Sequence, residues 1–580
     1  MGLWYQDYPD LFRDEREGLE ALGFELDAAE HEAGRVVFHG SVERKGSEVK
    51  LVIHYPDSFP YLRPEVFAPD LRLPRHQNPL RGNLCLLDRS TREWDVDGSG
   101  AWLIAKRVPA LLDLVEGGDQ EAMRRAEAPQ GEPASRYFPA QSGTVVFVPE
   151  AMLYLPKDVR AGTIRLAVGR GEGPTVQLRA CLTKVEADPA KRGKGTVEPT
   201  VLAVADEPLR NRFGRTALHG SWVRLATWPL GDGSDGSPDA LWHAARATPG
   251  YREPQWQNVQ GGKVQVLGIL AAEEVQQGQF EDAWLFAVRL RRDNNEGSYL
   301  ARGERLSRRD LAARIPSVEG LQDKVISLTG LGAIGAPMAM EFARSLAGEL
   351  RMLDDDAVET GTTVRWPLGL VAVGHFKTAV LSQALPAQYP YTKVRSFNHR
   401  IGSVPAPGEP TAEPDSAIID KLLDGADILV DATAELGVQH YLESEAYKRH
   451  LPQIYAWMTE GGVGGAVARV VPGQTGCWVC LQWHIEKGTI PAPPHVTTGR
   501  VQPRGCTAPT FTGTGFDALP VIAQAVRVTT HTLLRGRTGA GGPDVFVCAQ
   551  LAPDEQTIAV PTWSEFELTK HAKCERCGGK

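Results

Sequence analysis

Residues 324–354 read KVISLTGLGAIGAPMAMEFARSLAGELRMLD, and the fold follows from how this stretch is parsed. KVISL is a short apolar run ending at glycine, as a buried strand is. It enters Gly330-Leu331-Gly332-Ala333-Ile334-Gly335 directly, PMAMEFARSL then has helical character, and LRMLD returns as a second strand. That β-α-β order implies a mostly parallel sheet with helices on its faces. Glycines at the turn let the backbone approach a phosphate, and the helix N-terminus adds free N–H groups and a positive dipole end. Pro337 is tolerated in the first helical turn, where its missing N–H has no partner to lose. Asp354 ends the second strand nineteen positions after Gly335. Strand, glycine turn, helix and acid in this order predict a nucleotide site.

The residues that follow argue against a dehydrogenase. Asp354-Asp355-Asp356-Ala357-Val358-Glu359 leads to Arg365, and Gly374-His375-Phe376 leads to Lys377. Fixed cations suit a triphosphate, where charge develops on phosphate oxygens, whereas a hydride donor has little use for them. This pattern resembles the ThiF and ubiquitin-activating enzyme superfamily, whose D-x-D-x-V-E-x-x-N-L-x-R maps onto Asp354, Asp356, Val358, Glu359 and Arg365. Its G-x-x-K maps onto Gly374 and Lys377, and Asp431, ending the strand-like DILVD, matches its Mg²⁺-binding aspartate. Thr362 departs from the usual Asn. Glu304-Arg305-Leu306-Ser307-Arg308 is similar to the family's E-R-Y-S-R. The resemblance covers about 301–580 and implies ATP and Mg²⁺ held by Gly330, Gly332, Gly335, Asp354, Asp356, Arg365, Lys377 and Asp431. It also implies a homodimer in which Arg308 reaches the partner subunit's ATP.

Cysteine placement carries the rest. Cys477 and Cys480 form one CxxC pair and Cys574 and Cys577 another, with 93 residues between them. Two such pairs supply the four thiolates of a closed structural Zn²⁺ site. Cys506 lies in QPRGCTAPTF (502–511), a loop of Pro, Gly and Thr in which Arg504 favours a thiolate. The family attacks its acyl-adenylate with such a cysteine, which makes Cys506 the expected nucleophile. Cys181 and Cys548 fall in apolar strand-like runs and are expected in the core.

The N-terminal segment has a different texture. VKLVIHYPDSFPYLRPEVF (49–67), His76-Gln77-Asn78, Gly82-Asn83-Leu84-Cys85-Leu86, Trp94 and Trp102 resemble the ubiquitin-conjugating enzyme fold. The resemblance implies that Cys85 carries an acyl group and that Asn78 stabilises the oxyanion when an amine attacks. Gln77 stands where that family has Pro, and the interval of seven from Asn78 to Cys85 is one shorter than usual. The expected organisation is a ubiquitin-conjugating-like α+β domain at 1–125, a Pro/Gly/Ala/Glu-rich linker at 126–143, a β-rich connector at 144–300 and a Rossmann-like adenylation domain at 301–580. In the connector, Ile164, Leu166 and Val168, and then Val176, Leu178, Ala180 and Leu182, alternate as half-buried strands do. The Gly-rich 231–240 is expected as a surface loop.

The whole is 580 residues with 42% hydrophobic and 23% charged residues, a globular balance. A net charge of −9 excludes a generic nucleic-acid footprint. No stretch reaches the length of a membrane span and the N-terminus has acids where a signal peptide is apolar, so the expected location is the cytoplasm. The layout resembles bacterial activating–conjugating fusions, as in type II CBASS antiphage operons. That implies ATP-dependent activation of a protein's C-terminal glycine carboxylate, relay from Cys506 to Cys85, and conjugation to a target amine. The activated protein is a CD-NTase or a ubiquitin-like protein. Two other readings remain at this stage: a sulfur-carrier adenylyltransferase of the ThiF/MoeB type, and a non-catalytic binding scaffold.

Overall fold

The computed structural model describes residues 3–44, 46–87, 93–116, 131–170, 172–187, 199–230, 236–293, 295–404, 413–502, 510–536, 542–551 and 560–577. The chain divides into two compact units, Met1–Leu306 and Ser307–Lys580.

The first unit begins with a four-stranded antiparallel meander, Glu25–Leu26, Val37–Arg44, Ser47–His54 and Glu65–Phe67. Helix Pro9–Glu20, with proline at its start, and the helical run Gly100–Glu116 contribute Leu19, Leu103, Ile104, Val108 and Leu112 to its core. Within that run Leu103–Arg107 forms a π-helical turn. Buried Glu15 joins the two helical segments to the sheet by accepting from Tyr55 Oη and, at 2.8 Å, from Gly100 N–H. Burial raises its carboxyl pKa despite those two donors.

A nine-stranded sheet follows. Strand Thr216–Arg224 pairs in parallel with Gly262–Gln276 at one end of the strand order, so the sheet closes into a barrel. Arg179–Ala187 is buried on both faces, with Ala180, Cys181, Leu182 and Thr183 all enclosed, so the expected half-buried alternation does not hold there. Helix Glu207–Phe213 packs against it. Ser237 caps and Pro238 opens helix Pro238–Arg246, so the expected surface loop gives way to a helix before residue 240. Residues 131–143 fold onto the barrel: Phe138 is fully buried beside Trp228, and Arg136 pairs with Glu304 at 2.6 Å. Asp282, inside the barrel wall, is neutralised by Arg224 at 2.7 Å and Lys157 at 2.8 Å.

The second unit is built on an eight-stranded sheet. Five strands run parallel in the spatial order Lys393–Asn398, Glu349–Asp354, Val325–Thr329, Ile428–Asp431, Gln453–Met458. Gly464–Val470, Val545–Ala549 and Thr562–Phe566 extend it antiparallel. The strand order reverses between Val325–Thr329 and Ile428–Asp431, which opens a crevice beyond their carboxyl ends. Helix Gly335–Arg344 and the long helix Gly515–Arg535 pack on the sheet; Thr514 and Asp517 close the latter's N-terminus as a capping box. Among the described residues no helix is long and apolar enough to cross a membrane.

Candidate functional site

The glycine turn lies at the crevice, and its geometry explains each glycine differently. Gly330 has φ 78°, and a Cβ there would meet the backbone of Ala432 and Thr433 at 2.7 Å. A Cβ on Gly335 would lie 1.8 Å from the Gly330 carbonyl oxygen. Gly332 is different: a Cβ there meets nothing within 4 Å, so its missing side chain leaves open space above the turn.

Asp354 braces the turn by accepting Leu331 N–H at 2.5 Å and Asp356 N–H at 2.8 Å. Burial pushes its carboxyl above the usual carboxylate range, against the pull of Lys377. Lys377, largely buried at the start of helix Lys377–Gln388, holds Asp356 at 2.7 Å and lies 3.8 Å from Asp354. Trp366 donates to the Leu331 carbonyl at 2.9 Å, which ties the segment carrying Arg365 to the turn. Arg365 itself donates to Gly513 O at 3.3 Å and Thr510 Oγ1 at 3.1 Å.

Asp431 is fully buried beside Gly330. Thr433 donates to its Oδ1 through N–H at 2.9 Å and hydroxyl at 2.7 Å, while its Oδ2 has no hydrogen-bond partner among the described residues. Burial raises its pKa to about 6. A buried carboxylate oxygen without a donor is what a hard cation takes up, so the donor set fits Mg²⁺. Arg308 is elsewhere. Its guanidinium lies 5.5 Å from the Tyr391 ring and donates to the Tyr391 carbonyl at 2.6 Å, by the residues that precede the strands rather than those that follow them.

The four cysteines converge. Cys477 Sγ lies 3.7 Å from Cys480 Sγ and 3.5 Å from Cys574 Sγ, and all four sulfurs including Cys577 fall within 4.8 Å of one another. Thiolates ~2.3 Å from one zinc in a tetrahedron stand ~3.8 Å apart, so the set fits Zn²⁺. Cys477 caps helix Trp478–Glu486, which turns Cys480 back toward it, and His571 N–H donates to Cys480 Sγ at 3.3 Å. Hydrogen bonding from Cys477, then from His571, holds the Cys480 thiol below its usual range. Arg576 pairs with buried Glu443 and lies 5.1 Å from the Tyr447 ring, fastening the second CxxC to helix Leu436–Lys448.

Cys85 and Asn78 lie on one short hairpin of the first unit. Asn78 N–H donates to Asn83 O at 2.9 Å, and Cys85 N–H to His76 O at 2.7 Å. Cys85 is exposed. The Asn78 side-chain Oδ1 accepts Leu80 and Arg81 N–H groups, both at 3.0 Å, so its NH₂ is the side chain's remaining donor group. The two residues after Cys85 are tethered by two arginines, Arg107 to Leu86 O at 2.9 Å and Arg63 to Leu87 O at 3.1 Å. Cys506, with Arg504, lies outside the described residues. Cys181 and Cys548 are buried on their strands as expected, and burial raises both thiols, Cys548 to about 11.

Sequence reasoning missed Thr433, Trp366 and the part played by Gln77. Gln77 is buried, its amide shared among the carbonyls of Ala68, Leu71 and Gly82 while its oxygen accepts Leu73 N–H at 2.8 Å. The residue that departs from the expected proline thus organises the loop by hydrogen bonding. Nothing in its immediate sequence signals this.

Two folds on one chain, one with a nucleotide-type glycine turn and one with an exposed cysteine on the same hairpin as an asparagine, define a class: an adenylating fold joined to a conjugating fold. Family models agree. The ThiF family matches residues 308–540, and the prokaryotic E2 family B matches residues 22–144. The chain is 30% identical over 602 residues to the protein named Uncharacterized protein y4oA of Sinorhizobium fredii, covering 99% of this chain and 97% of that one. It belongs to this family of bacterial fusions of ubiquitin-conjugating-like and ubiquitin-activating-like domains, and it is an enzyme. ATP-dependent ubiquitin transferase-like protein Cap2 of Enterobacter hormaechei is 26% identical over 154 residues, 26% of this chain and 24% of that protein. A crystal structure of E. coli MccB with succinimide aligns over 46% of this chain and 69% of its own at 16% identity, with a TM-score of 0.33.

Proposed function

We propose that this enzyme activates the C-terminal glycine carboxylate of a protein and passes it, through two cysteines, to a target amine. The observation that carries the reading is the presence, on one chain, of a braced glycine turn beside Asp431 and of an exposed Cys85 on the same short hairpin as Asn78. The carboxylate oxygen attacks the α-phosphorus of ATP, forming an acyl-adenylate and releasing pyrophosphate. Gly330, Gly332 and Gly335 leave backbone space for the phosphates, and Lys377 and Arg365 offset their charge. Asp354 and Asp356 complete the nucleotide site. Mg²⁺, held by Asp431, would supply charge neutralisation at the phosphates.

The Cys506 thiolate then displaces AMP and forms a thioester. The Cys85 thiolate attacks that carbonyl and Cys506 departs as thiolate. An amine attacks the Cys85 thioester, the Asn78 NH₂ donates to the oxyanion, the amine loses its proton, and Cys85 leaves. Cys477, Cys480, Cys574 and Cys577 hold a structural Zn²⁺ that fixes the C-terminal segment to the sheet.

The second unit exposes Val364, Leu370, Val371, Phe516 and Leu519, apolar surface that supports pairing of two copies. In that homodimer Arg308 reaches the partner's ATP. The activated protein is a CD-NTase or a ubiquitin-like protein, the setting is cytoplasmic, and the role is antiphage defence, a reading that rests on the sequence resemblance. The test incubates the full chain with ATP, Mg²⁺ and the glycine-ended protein encoded beside its gene, followed by non-reducing gels. Thiol-sensitive adducts are expected. If Cys85→Ala and Cys506→Ala both leave every adduct unchanged, the relay is wrong and a scaffold or sulfur-carrier role takes its place.

A further inference from the structure

We infer that the barrel is the positioning element for the conjugating loop: Glu274 and a seat for Leu80 hold Asn78 and Cys85 in their working geometry. The inference rests on the reading of those two residues given above. The hairpin is tied to its own fold through Ala68 N–H to Gly82 O at 2.9 Å, Leu84 N–H to Val66 O at 2.8 Å and the buried Gln77 amide. Both flanks are held by the barrel.

The first flank is Arg75. Its guanidinium Nη1 lies 2.6 and 2.5 Å from the two carboxylate oxygens of Glu274 on barrel strand Gly262–Gln276, and both side chains are largely buried at 15% and 9% exposure. Glu274 also accepts Gly278 N–H at 2.6 Å and Glu132 N–H at 3.1 Å. The Glu132 carboxylate in turn accepts His76 N–H at 3.2 Å and the Tyr137 hydroxyl. His76 has φ 61°, a left-handed conformation that a residue with a side chain keeps only where its surroundings over-determine it. Its carbonyl accepts Cys85 N–H at 2.7 Å. From Glu274 on the barrel wall to the Cys85 amide the contacts are continuous.

The second flank is Leu80. It packs into the cluster that contains Phe138, Trp228 and Leu241 on the barrel. A Cβ on Gly236, itself at φ 65°, would come within 2.5 Å of Leu80 Cδ1, so Gly236 packs directly against the side chain. Leu80 N–H is one of the two donors that orient the Asn78 carboxamide. Two separate anchors, one ionic and one apolar, thus bracket the residues expected to do the chemistry. A loop with glutamine in place of proline and a shortened Asn–Cys interval is held from the barrel as well as by Gln77 within its own fold. Displacement of a reacting group by about 1 Å costs on the order of a hundredfold in rate.

The test uses the full chain as wild type, Glu274→Gln, Arg75→Ala, Arg75→Ala/Glu274→Ala and Leu80→Ala. Amide hydrogen exchange is read on peptides spanning 75–86, together with separate rates for charging Cys85 and for its discharge to a lysine amine. Glu274→Gln and Leu80→Ala should each speed exchange at His76–Cys85 roughly tenfold. Discharge should slow while ATP–pyrophosphate exchange stays at the wild-type rate. The double variant should lose no more than the worse of Arg75→Ala and a Glu274→Ala control. Wild-type exchange and discharge in both Glu274→Gln and Leu80→Ala would overturn the inference. So would full additivity of the Arg75 and Glu274 changes. A wild-type chain that forms no adduct at Cys85 would refute the acyl-carrier reading, and exchange alone would still decide the anchoring.

Discussion

Alanine at Gly332 and at Gly335 should have opposite consequences, because the two glycines are small for different reasons. At Gly335 the added Cβ would be 1.8 Å from Gly330 O and 3.4 Å from Ala432 Cβ. An ordinary C···O contact is near ~3.3 Å, so the turn must widen by about 1.5 Å. Overpacking of that kind costs about 1–3 kcal/mol in the second unit. At Gly332 nothing lies within 4 Å of the added carbon, and no left-handed φ stands in the way. Alanine there should leave stability unchanged or raise it by about 0.4–1 kcal/mol through the unfolded chain. The same carbon, however, occupies the space above the turn where phosphate would approach the backbone. Losing one charge-assisted hydrogen bond, worth ~1.5–3 kcal/mol, weakens ATP binding roughly ten- to hundredfold. Thermal unfolding without ligand and calorimetric titration with ATP separate the two effects. Gly332→Ala with wild-type ATP affinity would refute the phosphate-cradle assignment, and Gly332→Ala as unstable as Gly335→Ala would refute the geometry.

Asp431→Asn should abolish ATP–pyrophosphate exchange yet unfold no more easily than wild type at pH 7 without metal. With its folded pKa raised to about 6, the acid is more easily protonated folded than unfolded, so its ionised form opposes folding and stability falls as pH rises from about 4 through 6; thermal melts across that range should lose the slope in the variant. Purified chain should contain one zinc per chain by elemental analysis, and Cys574→Ala or a strong chelator should remove it and lower the unfolding midpoint of the second unit; a content well below one would reject the Cys₄ site. Gln77→Ala strands the partners of a buried amide and should cost about 1–3 kcal/mol in the first unit by denaturant unfolding, whereas a neutral outcome would show the loop to be held without it.

The sequence was informative where structure is local or where residue types are chemically committed. Val325–Thr329, the glycine turn and Asp354 were readable because strand, turn and helix are written contiguously there. The two CxxC pairs, although far apart in the chain, could be matched because four thiols at that spacing have few other uses. Barrel closure was not readable. It depends on parallel pairing of Thr216–Arg224 with Gly262–Gln276, and neither strand's own pattern names its partner. The helix at Pro238–Arg246 was hidden by the glycine-rich run before it, although Ser237-Pro238 is a start signal. Thr433 and Gln77 act through hydrogen bonds to groups that only the fold brings near. Arg308 matched a motif in sequence, but within one chain it is held by Tyr391 rather than at the glycine turn, a separation no motif could convey.

The central claim is the ordered relay, and intact-mass analysis of the chain after brief reaction with ATP, Mg²⁺ and its glycine-ended partner tests it most directly. The account predicts that Cys85→Ala accumulates a thiol-labile adduct at Cys506 and that Cys506→Ala carries none at Cys85. An adduct at Cys85 that forms at the wild-type rate in Cys506→Ala would contradict it.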